Sequence, residues 1–169
     1  MKEYITLREY NGEAEEAAAL ICAFWLAHND YVQSAEEAGE DLAAWTAEGH
    51  KFYFIEAGDG VAGFVHVGSR GARIDWIEDL FIRPEYQGKG YGSAALERVE
   101  ELVSSYSDSV YIEVAARNLR ALKLYHKNGY NCLNTVTIRK DFHPENFDVV
   151  REDELLGYRM EVRRARVSE

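Results

Sequence analysis

The feature that most constrains this chain is a glycine-rich turn, IRPEYQGKGYG, which runs from Ile82 to Gly92 between an apolar stretch and an amphipathic segment. Gly88, Gly90 and Gly92 have no Cβ, so the backbone around them can adopt positive φ and direct successive amide N–H groups into one small volume. A helix beginning near Gly92 would add its first-turn donors and the positive end of its dipole. The turn therefore predicts a binding site for phosphate groups.

Composition restricts the classes of protein to which the chain can belong. With 169 residues, 47% of them apolar, it is long enough for one domain with its own core, and no linker-like stretch divides it. A net charge of −11 argues against nucleic-acid binding and is compatible with a cationic substrate. No apolar run approaches the ~20 residues of a membrane span, and no signal-peptide core is visible, so we expect a cytoplasmic protein without a membrane partner.

The order of predicted elements indicates a mixed α/β fold. Alternation and helical spacing predict a strand over Tyr4–Arg8, two helices, three strands, a helix, a strand, a helix and two closing strands. Ser34 is the predicted N-cap of the second helix, with Glu37 as its capping-box partner. The closing strands are predicted over 131–140 and 157–162. Adjacent strands followed by an α-β-α run favour a mixed sheet with helices on both faces.

Three segments taken together resemble the GNAT superfamily of N-acetyltransferases. The first, IEDLFIRPEYQGKGYG, fits the acetyl-CoA signature of that superfamily, with Gln87, Gly90 and Gly92 at the signature positions. The second is YIEVAARN, which ends at Asn118, and the third is ALKLYHKNGY, which contains Tyr125. The sequence-specific resemblance covers residues 77–130, whereas the predicted element order agrees along nearly the whole chain.

The resemblance implies acetyl-CoA as co-substrate and one GNAT-like domain over residues 1–169, with a twisted, mostly antiparallel sheet. By position, Leu80, Phe81 and Ile82 would offer strand-edge backbone groups to the pantetheine arm. Asn118 would hydrogen-bond to the pantetheine end, and it is also the candidate N-cap of the last helix. The pyrophosphate would lie against the residues of the turn, namely Gln87, Gly88, Lys89, Gly90, Tyr91, Gly92 and Ser93.

Tyr125 is the general acid that the resemblance implies. Seven residues are about two helical turns, so Asn118 and Tyr125 lie on one helix face. The equivalent tyrosine of the family gives a proton to the departing CoA thiolate, which makes Tyr125 both a catalytic and a cofactor-contacting residue. A phenol near pKa ~10 is a suitable acid for a thiolate near ~8.5. The alternative is a core tyrosine with a satisfied hydroxyl.

Three carboxylates are candidate general bases, because an amine near pKa ~10.4 must lose a proton before it attacks a thioester. Glu113 resembles the base position of the ribosomal-protein N-terminal acetyltransferases. Glu78 and Asp79 resemble the acidic pair of antibiotic acetyltransferases in this superfamily. Each is equally open to a structural role in an ion pair, with one of three arginines as partner: Arg73, Arg117 or Arg120.

These features predict an N-acetyltransferase that moves acetyl from acetyl-CoA directly to a primary amine of a small cationic molecule or a protein N-terminus. No cysteine stands at a plausible nucleophile position, which argues against a covalent acetyl-enzyme. The histidines show no metal-ligand spacing, so no metal site is expected. His66 alone has another candidate role, because a hairpin strand beside the cofactor strand can present it to an acceptor pocket.

The segment 141–169 is longer than a minimal domain of the family requires. Its run RMEVRRARV is strand-like and basic, so the segment is open both as a closing strand and as a homodimer contact. Two other functions remain open on the sequence alone. They are a non-catalytic acyl-CoA-binding module and a dimerising interaction protein.

Overall fold

The computed structural model describes residues 5–58 and 60–166, so Tyr4, at the start of the first predicted strand, lies outside the described residues. Along the chain, the elements follow the order that the sequence predicts. They are β1 (Ile5–Glu9), α1 (Ala14–Asn29), α2 (Ala35–Trp45), β2 (His50–Ala57), β3 (Gly60–Ser69), β4 (Ile74–Ile82), α3 (Tyr91–Ser104), β5 (Tyr111–Ile112), α4 (Leu119–Lys127), β6 (Phe147–Leu155) and β7 (Tyr158–Ala165). The chain divides into two compact units between Glu113 and Val114. None of the described helices is long and apolar enough to cross a membrane.

The first unit is built on a five-stranded sheet in the order β1-β2-β3-β4-β5. The first four strands pair antiparallel, and β5 pairs parallel with β4. This confirms the expected mixed, mostly antiparallel sheet. The ladder between β4 and β5 is short, since it joins Trp76 to Tyr111 and Ile77 to Ile112.

Helices cover both faces of this sheet. On one face, α1 and α2 pack against aromatic side chains of the strands, in a core that contains Phe52, Phe54, Phe64 and Phe81. Because side chains alternate along a strand, the buried Ile55, which follows Phe54 in β2, faces the other way. The helix α3, which contacts β1 and β4, covers that second face. The predicted layer arrangement is therefore confirmed.

The start of α2 follows the capping-box prediction. Ser34 Oγ accepts a hydrogen bond from the Glu37 backbone N–H at 3.2 Å, and the Glu37 carboxylate accepts one from the Ser34 N–H at 2.7 Å. Two amide donors that no helical carbonyl reaches are satisfied in this way. The cap fixes where α2 begins after the connection from α1.

The second unit contains α4 and a two-stranded hairpin of β6 and β7. The strand predicted over 131–140 is wrong: in the described chain this segment has no strand pairing and its residues are exposed. The hairpin forms instead around Leu156 and Gly157, both at positive φ (52° and 84°), which is the geometry of a tight two-residue turn. That turn pairs Leu155 with Tyr158, so β6 starts after the predicted strand and Gly157 belongs to the turn.

Candidate functional site

The glycine-rich turn leads from the end of β4 into α3. Gly88 and Gly90 adopt left-handed φ values of +78° and +88°, and Gly90 is the N-cap of α3. Gly92 lies inside the first turn of the helix, which begins at Tyr91, one residue before the expected start. The Gln87 side chain donates a hydrogen bond to the Ile82 carbonyl at 2.8 Å and so ties the turn back to the strand.

Space around the turn is open. A Cβ added at Gly88 or Gly90 would meet no heavy atom within 4 Å. Positive φ, rather than crowding, is therefore what favours glycine at these positions. The Lys89 ammonium lies 5.3 Å from the centroid of the Tyr86 ring, in a cation–π position at the edge of the turn.

The outer edge of β4 continues beyond its ladder with β5. On its inner edge, Leu80, Phe81 and Ile82 pair with Val65, Phe64 and Gly63 of β3, respectively. On the outer edge, no strand of the described chain pairs with these three residues. The edge thus presents backbone donors and acceptors in an extended row, which is the arrangement that an extended ligand can join.

A β-bulge at Glu78 interrupts the pairing of β3 with β4. Asp79 is opposite His66 and Ile77 is opposite Val67, so Glu78 is the extra residue on β4. A bulge adds a residue on one strand and re-aims the neighbouring side chains. In this unit it brings Glu78 and Asp79 into two different polar contacts, although the residues are adjacent in sequence.

Glu78 and Glu113 share one arginine, Arg70. Its guanidinium donates to Glu78 Oε2 at 2.7 Å and to Glu113 Oε1 at 2.6 Å, and it lies 3.8 Å over the Trp76 ring. The hydrogen bonds from Arg70 are the main reason why the pKa of Glu78 is lowered. These two candidate bases are therefore brought together in an ion-paired cluster, and their partner is not one of the three arginines that the sequence suggested.

Asp79 belongs to a different polar chain. His66 Nδ1 lies 2.9 Å from Asp79 Oδ2, and His66 Nε2 lies 2.9 Å from His50 Nδ1. The His66 side chain is buried, and its ring stacks on Trp45 at a centroid distance of 4.9 Å. Asp79, His66 and His50 thus form a continuous hydrogen-bonded row across β4, β3 and β2.

Gly68 makes room for this row. A Cβ at Gly68 would lie 2.8 Å from His50 Nδ1 and 3.1 Å from Glu78 Cγ. The sequence singled out His66 but missed His50. The register of the hairpin between β2 and β3 could have found His50. In that register His50 pairs with Gly68, which lies two residues from His66 on the same face of β3.

His50 also lines a cavity of about 430 Å³ at the end of β1 and the start of β2. Near it, the Lys51 ammonium donates to Glu9 Oε1 at 2.9 Å. The Asp79–His66–His50 row therefore ends at this cavity. The full lining is Glu9, Tyr10, Asn11, Gly12, Thr46, His50, Lys51 and Phe52.

The remaining predicted residues, Asn118 and Tyr125, lie in the second unit. Asn118 is the N-cap of α4, since its Oδ1 accepts a hydrogen bond from the Ala121 N–H at 3.1 Å. Tyr125 is a half-buried residue of α4, and its ring centroid is 6.0 Å from that of Tyr130. Among the described residues, no group of three or more His, Cys, Asp and Glu side chains is arranged to hold a metal ion.

Sequence relatives connect this chain to acetyl transfer. The model of the acetyltransferase (GNAT) family matches residues 14–130. The ribosomal protein bS18-alanine N-acetyltransferase of Escherichia coli K12 is 34% identical over 67 residues, which are 39% of this chain and 43% of that protein. The chain thus spans less than half the length of the curated relatives that it matches.

Solved structures share the fold at lower identity. Spermidine N-acetyltransferase from Vibrio cholerae, solved with CoA and spermine, is 21% identical with a TM-score of 0.59, covering 74% of this chain and 79% of that one. An aminoglycoside N-acetyltransferase solved with CoA is 14% identical with a TM-score of 0.65, covering 82% and 95%. Since the family match extends over most of the chain, from α1 to the end of α4, this protein belongs to the GNAT acetyltransferase family.

Proposed function

We propose that this chain transfers acetyl from acetyl-CoA directly to a primary amine. The observation that carries the proposal is the turn before α3, where Gly88 and Gly90 hold left-handed conformations beneath open space. Backbone N–H groups at a helix start favour phosphate oxygens without many cationic side chains, which suits a chain with a net charge of −11. The turn fits a pyrophosphate in chemistry and in space.

The unpaired outer edge of β4 supports a position for the pantetheine arm. Leu80, Phe81 and Ile82 can donate and accept backbone hydrogen bonds there, as a further strand would. When bound, acetyl-CoA supplies the thioester whose carbonyl carbon the amine attacks. We assign Asn118 a second contact with the arm through its amide N–H groups, since its Oδ1 already caps α4.

We assign the general base to Asp79. Glu78 and Glu113 both accept charge-assisted hydrogen bonds from Arg70, so their carboxylate oxygens are already engaged. For Glu78, Arg70 also lowers the pKa, which makes it a poor proton acceptor. Asp79 instead contacts the ring of His66 and no arginine in the described residues. In this assignment, Glu78 and Glu113 orient Arg70 beside β4.

The proposed step conserves atoms and protons. The acceptor ammonium gives one proton to Asp79, and its nitrogen forms a bond to the thioester carbonyl carbon. The carbon–sulfur bond breaks, and Tyr125 gives its phenolic proton to the leaving thiolate. As the intermediate collapses, the nitrogen loses its second proton to solvent and Tyr125 takes one up from solvent. Asp79 then releases the first proton, so that each turnover liberates one proton.

We propose a small cationic amine or a protein N-terminus as the acceptor. The acidic balance of the chain favours a cation through long-range attraction. The relatives support both classes, because one is named for spermidine and another for the alanine of a ribosomal protein. A panel of spermidine, an aminoglycoside and a peptide beginning with alanine therefore covers the proposed range.

The first experiment is isothermal titration with acetyl-CoA. We expect the wild type to bind and the double variant Gly90→Glu/Gly92→Glu to lose binding while keeping its far-ultraviolet circular dichroism. Gly71→Glu is the matched control, since Gly71 also has positive φ and open space but lies in the β3–β4 connection. If the wild type binds no acyl-CoA, or if the control loses binding equally, the assignment of the turn is wrong.

The second experiment is amine turnover. We expect Tyr125→Phe to lower kcat by about 100-fold, the usual effect of removing a positioned acid, with little change in acetyl-CoA affinity. A wild type that binds acetyl-CoA but acetylates no amine of the panel would instead favour the non-catalytic acyl-CoA-binding module.

We also propose that the β6–β7 hairpin contacts a second copy of the chain. Leu156 and Tyr158 at its turn are exposed, and Val149 and Val150 on β6 are exposed as well. Light scattering coupled to gel filtration tests this contact, with Tyr158→Glu expected to shift a dimer towards the monomer. A wild type that stays monomeric at all concentrations would contradict it.

A further inference from the structure

The row of Asp79, His66 and His50 places a buried imidazole between a candidate base and a second imidazole at a cavity. Each contact is 2.9 Å, and His66 has a side-chain exposure of only 4%. We propose that His50 and His66 act as a single proton-holding pair, loaded and unloaded through the cavity, and that its charge sets the competence of Asp79 as a base. This inference rests on the proposed function of Asp79.

Donor and acceptor roles in the row follow from the carboxylate. An ionised carboxylate only accepts, so His66 Nδ1 must donate to Asp79. In a neutral His66, Nε2 then carries a lone pair, and His50 Nδ1 must donate to it. The remaining lone pair of the row is on His50 Nε2. Because His50 lines the cavity, that nitrogen is where the pair exchanges protons with solvent.

The pair can take one additional proton, not two. The contact between His66 Nε2 and His50 Nδ1 needs one hydrogen and one lone pair, and two imidazolium rings would place two hydrogens in that contact. A proton that enters at His50 Nε2 can therefore pass to His66 by transfer of the shared hydrogen. The two rings therefore hold that proton as one unit, through their 2.9 Å contact.

The surroundings of the pair contain charges of both signs. On β4, Asp79 and Glu78 are carboxylates that favour the protonated pair, and Glu78 is itself paired with Arg70. Around the cavity the charged side chains are Glu9 and Lys51, which pair with each other. Trp45 of α2 stacks on His66 and adds a π face that favours an imidazolium.

The charge of the pair controls Asp79. When the pair is neutral, Asp79 accepts an ordinary hydrogen bond and retains its affinity for a substrate proton. When the pair is protonated, Asp79 faces a cation at hydrogen-bond distance, which stabilises its ionised form and weakens it as a base. Turnover should therefore rise with pH as the pair loses its additional proton. His66 is a positioning residue in this scheme, because it acts through Asp79.

Nitrogen-15 NMR of the histidine side chains in the full chain tests the pair without knowing the amine. We expect both neutral rings to carry hydrogen on Nδ1, and one proton to be taken up by the two rings together as the pH is lowered. In Asp79→Asn, this uptake should move to lower pH because a carboxylate is lost. A neutral His66 with hydrogen on Nε2, or two independent protonations, would overturn the proposal.

Kinetics with His50→Gln, His66→Gln and the double variant test the link to Asp79. We expect each single change to leave kcat at high pH within a few-fold of wild type and to remove the acid limb of the pH profile, because no imidazolium pair then faces Asp79. The double variant should be no worse than either single one, because either break interrupts the same unit. The control is His143→Gln, at an exposed site in the second unit.

Acetyl-CoA titration separates the two proposals. If all variants bind acetyl-CoA normally but keep the wild-type pH profile, the histidines have only a structural role. The same holds if the effects of the two single changes on kcat simply add in the double variant. If the wild type itself binds no acetyl-CoA, the proposed function fails, while the NMR titration still decides whether the pair shares one proton.

Discussion

Different interactions stabilise each of the two units of the chain. In the first unit, Phe52, Phe54 and Phe64 are almost fully buried within one aromatic core. Among the described residues of the second unit, Val162 is the one buried apolar side chain, and α4 contains no buried residue. Burial thus defines the first unit, whereas helix caps and a tight turn define the second. Tertiary contacts rather than local signals decide where most helices and strands are stable.

The functional residues divide in the same way. Asp79, His66 and Arg70 lie in the first unit, where packing and several hydrogen bonds fix each side chain. Asn118 and Tyr125 belong to the second unit, on a short helix without a buried residue. We therefore expect the base side of the proposed reaction to be more rigid than the acid side, since segments with little burial open at low free energy.

The largest effect is expected from Phe64→Ala. Phe64 is fully buried, and its ring stacks on Phe52 at 4.8 Å and contacts Phe24, Trp45 and Phe81. Removing it should lower the free energy of unfolding by about 3 to 5 kcal/mol in urea titrations. The control is Leu133→Ala in the second unit, where an exposed side chain should contribute less than about 0.5 kcal/mol. Equal losses would contradict the contrast between the units.

A smaller effect is expected from Val162→Ala in β7. Val162 pairs with Arg151 across the hairpin and is 8% exposed. Losing two methyl groups should cost about 1.5 kcal/mol, by the usual value per buried carbon. Hydrogen exchange should show faster opening over 147–165 with the first unit unchanged. Faster exchange throughout β2 and β3 would show that Val162 supports the whole chain.

The sequence predicted the first unit better than the second. Alternation and helical spacing correctly predicted three strands before the glycine-rich turn, the last of which is β4 (Ile74–Ile82), because such patterns report which side chains are buried on a sheet. The same alternation over 131–140 has no such meaning, since Leu133 and Ile138 are exposed there. The decisive signal was a turn with Leu156 at positive φ, a conformation that leucine rarely adopts and that propensity therefore does not predict.

The candidate site shows a similar limit. Gln87, Gly88 and Gly90 could be named from one short motif, because the motif itself dictates the local backbone. The Arg70 cluster and the histidine row could not be assembled from sequence. Both depend on the bulge at Glu78, which shifts the register between β3 and β4 by one residue. A one-residue shift decides which side chains meet, and no local pattern in this chain marks it.

The helix caps give the next contrast. Ser34 begins α2 in the first unit, and Asn118 begins α4 in the second, each by accepting a backbone N–H. Ser34→Ala should cost about 1 kcal/mol and appear in the global urea transition, since α2 packs on the aromatic core. Asn118→Ala should lower the free energy of local opening of α4 by a similar amount, visible as faster hydrogen exchange in α4. If Asn118→Ala lowers the global midpoint as much as Ser34→Ala, α4 folds with the core.

Asn118→Asp then separates capping from binding. Aspartate retains a side-chain oxygen that can cap α4 but lacks the amide N–H groups that we assign to the pantetheine arm. We expect normal exchange protection in α4 and weaker binding of acetyl-CoA. Normal binding in this variant would restrict Asn118 to its role as a cap.

The smallest contrast concerns acid stability. Arg70 lowers the pKa of Glu78 below its ordinary 4.5, so the ionised carboxylate stabilises the folded chain above that pH, and the contribution is lost as pH falls through the lowered value. Because Arg70 is about one-third exposed, we expect less than about 1 kcal/mol at neutral pH. In urea titrations, Glu78→Gln should remove this part of the change in the free energy of unfolding between about pH 7 and pH 3. Arg70→Met should remove the same part, and the double variant should remove no more.

Asp153 in the second unit is the matched control for Glu78. Arg151 also lowers its pKa, but the pair lies on the exposed hairpin and is screened by water and salt. Asp153→Asn should therefore flatten the pH dependence much less than Glu78→Gln. If the two variants change it equally, then the acid sensitivity reflects charge alone, and the burial that distinguishes the first unit contributes nothing to the strength of its ion pairs.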